Sequence, residues 1–265
     1  MGNPNYRNFG LADAKFQVAS ATQSATTQAS ADTITKAAHG LSNGAQVVFQ
    51  SITTTTGFST FTRYYVVGAT TNTFQISATY GGSAIDLTGS DGSATYKAIT
   101  EYDVLLANTA TITPRSKEFA YAGDDTELAR TQILGYTVEL DADCIPLATH
   151  MGLFGLSNVA SGLPDSYTGA VYGGTTTERA GVSCGLWFEG TATRVDASTG
   201  AETNVTLRRW FPLGTVSGVT PGGQKTGDKA EVEKYMFTAS KTGVDVCGGA
   251  LPSVPGAVFF VTLEK

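Results

Sequence analysis

The chain has 265 residues, of which 41% are apolar and only 15% are charged, and it contains 31 glycines. This low-charge composition, rich in glycine and threonine, favours short strands joined by tight turns and excludes a helical bundle. The formal net charge of -6 and the sequence pI near 4.9 exclude a protein that grips nucleic acid through its phosphates, because that needs a dense basic surface.

The first ten residues, MGNPNYRNFG, are polar and lack the apolar stretch that a secretory signal needs. The longest apolar run, AVFFV at 257–261, is too short to span a bilayer. We therefore expect a chain without a membrane segment that is made in the cytoplasm. The cysteines, Cys144, Cys184 and Cys247, are far apart and outside any CxxC pair, which predicts buried reduced thiols.

Residues 22–97 differ in composition from the rest and are predicted to form an inserted small β domain. Their acidic and basic side chains balance, so the remainder of the chain carries the whole net charge. Strands are predicted where β-branched and aromatic residues lie between turn-forming segments, in DTITKA, AQVVFQSI, RYYVVGA and TFQISAT. The flanking segments SATQSATTQAS and SDGSATYKA have the composition of flexible hinges.

The remainder, residues 1–21 joined to 98–265, is predicted to be a discontinuous all-β domain with one short helix. Strands are predicted in YDVLLANTATI, GYTVELDAD, SCGLWFEGTATRV, ETNVTLRRWF, AEVEKYMFTA and GAVFFVTLE. The helix is predicted in IPLATHMGLFG, where Leu147, Met151 and Phe154 recur at helical spacing.

The segment GYTVELDAD alternates apolar and polar residues, the pattern of a strand with one buried face. Val138 and Leu140 fall on the predicted buried face. Glu139, Asp141 and Asp143 fall on the other face and form a predicted acidic stripe.

No segment carries a catalytic or metal-binding motif that we recognise. The two histidines, His39 and His150, have no Ser, Cys or carboxylate at catalytic spacing, which favours structural roles. The stretch TPGGQKTG lacks the Gly-Lys pair of a phosphate loop. The acidic run at 123–127 lacks the ligand spacing of a calcium loop, which favours a solvated tip. We expect no enzyme activity, no metal and no cofactor.

Two sets of segments resemble phage structural proteins. Within residues 31–95, HGLSNGAQVVF, RYYVV and TFQISATYGGSAIDLTG resemble a small β-module that recurs in phage virions. The remaining body resembles a siphophage-type major tail tube protein in the order of its parts. These are GLADAKF, a strand pair on either side of EFAYAGDDTELARTQ, a strand with VELDAD and a short helix ending near GLFG.

The resemblance implies a structural protein of the virion tail with a tail-tube-type β-sandwich or barrel subunit. Such subunits would form rings, of six copies by expectation, that stack into the tube through which DNA is ejected. The partners implied are other copies of the chain and other tail proteins, namely the tape measure, terminator and distal tail proteins. DNA would pass through without specific binding, no membrane would be involved, and the inserted module would lie on the outer surface.

The resemblance also implies roles for individual residues. The acidic stripe would face the lumen, with Glu101 and Asp103 as candidate neighbours, so that like charge keeps DNA from adhering. The segment 114–130 and an N-terminal arm at 1–15 would reach neighbouring rings. The candidate inter-ring contacts are Arg115, Lys117, Asp124, Asp125, Glu127 and Arg130.

The main alternative is a phage adhesin or other carbohydrate-binding protein, because Phe58, Phe61, Tyr64 and Tyr65 could offer stacking faces for sugars. Another virion component, such as a tail terminator or a capsid decoration protein, is a further alternative. Stacked rings in electron micrographs would separate the tail tube from the other two.

Overall fold

The computed structural model describes residues 5–104, 107–123, 126–142, 147–154, 158–159, 169–170, 183–196, 198–220, 233–249, 251, 258 and 260–264. This part of the chain is all-β apart from one α-helix and one turn of 3-10 helix, so the predicted fold class is confirmed. The chain divides into two compact units. The large unit comprises 1–16, 102–242 and 256–265, and the small unit comprises 17–101 and 243–255.

The elements, in chain order, are β1 Asn5–Ala19, β2 Gln23–Gln28, β3 Thr33–Thr35, β4 Gln46–Ile52, β5 Thr55–Thr56, β6 Arg63–Val67, β7 Thr73–Ser77, β8 Thr88–Gly89, β9 Gly92–Asp103, β10 Ala107–Gly123, β11 Thr126–Ala142, α1 Leu147–Phe154, β12 Asn158–Val159, β13 Gly169–Ala170, β14 Ser183–Val195, β15 Glu202–Thr220, β16 Glu233–Ala239 and β17 Val261–Glu264.

The small unit contains more of the chain than the inserted domain predicted over 22–97. It also takes in 17–21, 98–101 and, near the C-terminus, 243–255. The sequence analysis assigned all three segments to the main domain. Residues 98–101 continue β9, and 17–21 end β1 and lead into β2. The segment 243–255 joins the small unit through contacts that are distant in sequence.

Six strands of the small unit close into a barrel in the order β9, β2, β3, β7, β6 and β4, after which β4 pairs with β9 again. Closure removes the open edges of these strands. The two segments predicted as flexible hinges are β2 and the start of β9, so that prediction is wrong. In both strands every second residue is buried, as in Ala25, Thr27, Ala94 and Tyr96. Most of these buried side chains are short, so the sequence has the composition of a linker.

An aromatic cluster fills the barrel. The Phe49 ring centroid lies 4.8 Å from that of Phe58, 6.1 Å from Tyr64 and 6.0 Å from Tyr96, while Phe74 lies 5.6 Å from Tyr96. These tilted and edge-on contacts are favourable ring geometries, and burial raises the pKa of Tyr96. Because Phe58 and Tyr64 are buried in this core, their suggested role as exposed stacking faces for sugars is wrong.

The sheet of the large unit curls around its own core. Its strands follow the order β10, β11, β16, β15, β14 and β1, and β17 also pairs with β15. Two strands separate β1 from β16, which would put them about 14 Å apart in a flat sheet. The ring centroids of Phe16 in β1 and Tyr235 in β16 are nevertheless only 5.4 Å apart. Phe188, Phe211 and Phe237 are buried in the same unit.

The predicted helix is confirmed as α1, but its buried side differs from the prediction. Thr149 and Leu153 are buried, whereas Met151 of the predicted apolar stripe is only partly buried. A Cβ added at Gly152 would collide with the ring of Tyr102. The helix therefore packs closely against Tyr102 at a glycine. The spacing of apolar side chains cannot predict such a contact.

A buried aspartate fixes the C-terminal segment of the small unit. Asp245 is only 4% exposed, and its Oδ2 accepts a hydrogen bond from Arg63 Nη2 at 2.8 Å. Its Oδ1 accepts from the backbone N–H groups of Cys247 and Gly249 at 2.9 and 2.8 Å. The carboxylate is thereby bound by one cation and two amides, as a buried charge requires.

Two of the three cysteines are free and buried, as predicted. Cys247 packs with Val48 and Ile99 in a small apolar cluster. Burial raises the pKa of Cys184 to about 12, and burial together with the charge of Asp245 raises that of Cys247 to about 12. Both side chains are therefore protonated near neutral pH. Cys144 lies outside the described residues.

We expect Asp245→Ala to destabilise the small unit by about 3 kcal/mol, because it removes the ion-pair partner of Arg63 and the acceptor of two buried N–H groups. Asp245→Asn keeps an oxygen acceptor for the N–H groups and should cost less. Hydrogen exchange followed by mass spectrometry over residues 23–101 would measure both losses. Equal protection in the wild type and Asp245→Ala would contradict a stabilising role of Asp245.

Candidate functional site: a polar face of the large unit

Strands β10, β11 and β16 present one polar surface, here called the polar face. Glu139 pairs with Thr111 on one side and Met236 on the other, and Asp141 pairs with Thr109 and Lys234. Directly paired residues of antiparallel strands lie on the same face of a sheet. The polar face consists of Thr109, Thr111, Thr113, Thr137, Glu139, Asp141, Lys234, Met236 and Thr238.

The opposite side of these strands is core. Val138 and Leu140 are fully buried and pair with the buried Phe237 and Tyr235. The alternation predicted for GYTVELDAD is thus confirmed over the described residues, and two members of the acidic stripe, Glu139 and Asp141, do lie together on the polar face. The third, Asp143, lies outside the described residues.

Lys234 partly neutralises the acidic stripe. Its Nζ lies 2.7 Å from Glu139 Oε1 and 3.6 Å from Asp141 Oδ1. The hydrogen bond to Glu139, and then the charge of Asp141, raise the pKa of Lys234. The sequence analysis missed this partner because the register between β11 and β16, two strands almost a hundred residues apart, cannot be read from either segment alone.

The two carboxylate oxygens of Asp141 have different surroundings. Its Oδ2 accepts a hydrogen bond from Thr109 Oγ1 at 2.9 Å. Its Oδ1 is buried and has no hydrogen-bond partner among the described residues, since the 3.6 Å contact with Lys234 is electrostatic and too long for a hydrogen bond. A buried oxygen without a hydrogen bond is costly, and the nearby ammonium offsets part of that cost through its charge.

The two acidic residues named as neighbours of the stripe have other partners. Glu101 belongs to the small unit, where its Oε1 accepts from Gln17 Nε2 at 2.8 Å and Gln46 Nε2 at 3.3 Å. Asp103 belongs to the large unit and forms an ion pair with Lys15 at 2.9 Å. Their place beside the acidic stripe stays a prediction.

A cluster of charges surrounds Trp187, which is only 5% exposed. The guanidinium carbon of Arg208 lies 4.0 Å from the centroid of this ring and Lys15 Nζ lies 5.7 Å from it. Arg208 also donates through Nε and Nη2 to Glu189 Oε2, at 3.0 and 2.7 Å. This cation–π arrangement joins side chains of β1, β14 and β15, and no spacing within one segment indicates it.

Strands β10 and β11 continue as a two-stranded ribbon beyond the rest of the sheet. β11 pairs with β16 only over residues 136–142, whereas its pairing with β10 runs on to Thr126 opposite Gly123. About ten residues of β11 therefore extend roughly 30 Å with β10 as their one neighbour among the described strands. The expected strand pair on either side of EFAYAGDDTELARTQ is present as β10 and β11, and the described residues of that segment continue both strands.

The ribbon carries several of the predicted inter-ring contacts. Arg115 and Lys117 are exposed on β10, and Arg115 Nη2 would be 2.7 Å from a Cβ added at Gly135. Ile133 and Leu134 on β11 are 47% and 50% exposed, an apolar exposure that is common where another chain binds.

The remaining predicted contacts are less defined. Glu127 and Arg130 belong to β11, but the structure does not describe their side chains, and Asp124 and Asp125 lie outside the described residues. Residues 5–15 of the predicted N-terminal arm are part of β1 beside β14, and their contacts with neighbouring rings stay a prediction.

His39 has a structural role. Its Nδ1 accepts a hydrogen bond from the Leu41 N–H at 2.9 Å, so the proton of the neutral ring is on Nε2, which lies 3.3 Å from the Thr73 carbonyl. The ring also meets Phe74 edge-on at 5.1 Å. The side chain of His150 is not among those that the structure describes.

Within the described ranges, no three His, Cys, Asp or Glu side chains gather as they would around a metal ion. The same ranges contain no helix that is long and apolar enough to cross a membrane. No protein-family model matches the chain, and no curated protein is significantly similar to it.

The ion pair on the polar face should make stability depend on alkaline pH. A raised pKa in the folded state means that Lys234 contributes fully below its unfolded pKa of about 10.4, and that the contribution disappears as pH rises through the higher folded value. We expect the difference in urea midpoint between wild type and Lys234→Met to be constant up to pH 9 and to shrink above about pH 10.5.

Lys241→Met is the matched control, because Lys241 is an exposed lysine of the same unit. Its difference from wild type should vary little over the same pH range. A Lys234→Met difference that does not change with pH would contradict the pairing.

Proposed function

We propose that the chain is a structural virion protein that self-assembles through its sheet edge into stacked rings, forming the tail tube through which phage DNA is ejected. The open edge of β10 carries this proposal. β10 is 17 residues long and, among the described strands, pairs only with β11. A typical strand has about five or six residues, and a long open edge is a template for pairing with another chain.

Pro114 indicates which backbone groups face the open edge. Proline has no N–H, so within sheets it is confined to positions whose N–H would point away from a neighbouring strand. The pairing of β10 is regular from Thr109 to Arg115, and strand residues alternate in the direction of their backbone groups. Ala110 and Ile112 lie four and two residues before Pro114, so their backbone groups point in the same direction as those of Pro114. They therefore present their N–H and C=O groups at the open edge.

The ribbon adds a second surface for assembly. An isolated two-stranded ribbon is marginally stable in water, and this one exposes Ile133 and Leu134. Contact with another copy would cover both residues. An edge that joins a different surface of the next copy gives a closed ring when the rotation allows it. Six copies per ring is the number that the resemblance to tail tube proteins implies.

The polar face has the chemistry expected of a channel for DNA. It is made mostly of threonine hydroxyls, and its charged groups are Glu139, Asp141, Lys234 and, next along β10, the exposed Arg115. Two carboxylates balance two cations, so the face has no excess of positive charge with which to hold phosphates. With a Debye length of about 8 Å at physiological salt, the repulsion acts only close to the wall, so the face prevents adhesion and does not drive the DNA.

The small unit is proposed to decorate the outer surface and to take no part in the ring. Its six-stranded barrel is closed, so the strands of that barrel have no edge to offer to another copy. The two units thus differ in whether they have an unpaired strand edge, the feature on which the proposed assembly depends.

Blocking the edge should prevent assembly without unfolding the protein. We expect Ala110→Pro to abolish rings and tubes in negative-stain electron micrographs, because it removes an N–H from the open edge. The control Ala110→Val keeps the N–H and should assemble. Both variants should keep the circular dichroism spectrum of the wild type. Tubes of Ala110→Pro that look like wild-type tubes would contradict the edge as the assembly surface.

Met236 allows a test of the lumen that replaces none of the charged residues on the polar face. It is exposed on the polar face opposite Glu139. We expect Met236→Lys to assemble normally but to slow DNA ejection from virions that carry it, because each subunit adds one cation that phosphate can bind. Met236→Glu is the matched control and should eject DNA at the wild-type rate. Equal ejection rates for all three proteins would place the polar face outside the lumen.

A further inference from the structure

An open pocket of ≈ 270 Å³ lies in the small unit. Three stretches of chain meet there: the turn that leads into β4 together with its first residue, the loop after β7 and the end of β9. The residues that matter to its chemistry are Asn43, Gly44, Gln46, Tyr80, Ile99 and Glu101. The pocket thus combines two amides, one carboxylate and one phenol ring on a small apolar base.

A chain of hydrogen bonds fixes the polar side chains of the pocket. Asp245 holds Arg63 through Nη2, and Arg63 Nη1 donates to Gln46 Oε1 at 2.8 Å. Because that oxygen accepts, the Gln46 amide nitrogen must donate, and it lies 3.3 Å from Glu101 Oε1. Gln17 Nε2 donates to the same oxygen at 2.8 Å. The buried Asp245 therefore orients Gln46 and Glu101 before any ligand arrives, which lowers the cost of binding.

One wall of the pocket is an aromatic ring that is exposed on the protein surface. Tyr80 is 76% exposed, and its ring meets Tyr65 edge-on at 5.9 Å. Gly44 lies beside this ring with φ of +88°, and a Cβ there would be 2.8 Å from Tyr80 Cε2. The Gly44 N–H donates to the Val66 carbonyl at 2.7 Å. The turn is therefore held by β6, and the absent side chain leaves room for the ring.

We infer that this pocket binds one neutral sugar ring of a glycan. An exposed aromatic face stacks on the apolar C–H face of a sugar, while amide and carboxylate groups accept and donate hydrogen bonds to its hydroxyls. The volume is close to the lower limit of about 300 Å³ for small-molecule pockets, which suits a single ring. The carboxylate of Glu101 makes the site unfavourable for acidic sugars.

The inference does not depend on ring assembly, and it differs from the carbohydrate platform suggested by the sequence. That platform consisted of Phe58, Phe61, Tyr64 and Tyr65, of which Phe58 and Tyr64 are in the barrel core. The pocket uses Tyr80 instead, a residue that the sequence analysis did not select. A small unit that binds sugar weakly would gain strength in any assembly that repeats it, because repeated sites act together.

Saturation-transfer NMR on the full-length protein would test the pocket. Glucose, galactose and N-acetylglucosamine are the neutral probes, and N-acetylneuraminic acid is the acidic one. We expect transfer to at least one neutral probe and none to the acidic probe. Tyr80→Ala should weaken the binding about tenfold, because it removes the stacking face. This substitution is at an exposed position, so the fold should be retained.

Phe61→Ala is the matched control, because Phe61 is an exposed aromatic residue of the same unit that does not line the pocket. It should bind the neutral probe as the wild type does. The inference is overturned if no neutral sugar shows transfer, if Tyr80→Ala binds as well as the wild type, or if Phe61→Ala weakens binding equally. None of these results would bear on whether the protein forms tubes.

Discussion

The unpaired strand edge is the constraint on which the organisation of this protein depends. Every strand must have its N–H and C=O groups bonded or left to water, and a long open edge invites pairing with other chains. The small unit meets this constraint by closing β9 against both β2 and β4. In the large unit, β10 pairs with β11 alone among the described strands. One sequence thus contains a closed barrel and a sheet with an unpaired edge.

The charge pattern of the large unit follows from the same strands. Alternation along β11 sends Val138 and Leu140 inward and Glu139 and Asp141 outward, and β16 supplies Lys234 to the outward side. The ion pair reduces the repulsion between two carboxylates that are two residues apart, and so permits an acidic face on a regular strand. The net charge of this face is therefore small.

Local pattern predicted the elements well and their partners poorly. Strand β14 has the bounds of the predicted segment SCGLWFEGTATRV, and α1 lies within the predicted helix. Alternation also identified the outward position of Glu139 and Asp141. The hinges were wrong because Ala25 and Ala94 are buried strand residues that resemble a linker in composition. Lys234 and Asp245 were missed because each acts across a sequence separation that only the register or the fold reveals.

Whether the small unit is a separable insertion depends on how often the chain passes from one unit to the other. A simple insertion would cross twice, whereas this chain passes between the units after residues 16, 101, 242 and 255. The segment 243–255 is bound through Asp245 to Arg63 and through the Cys247 carbonyl to Gln50 at 2.8 Å. Removing the barrel alone would leave the carboxylate of Asp245 without its partner Arg63. The small unit is therefore integrated through its C-terminal segment, and the pocket beside Tyr80 depends on that integration because Asp245 is the start of the hydrogen bonds that orient it.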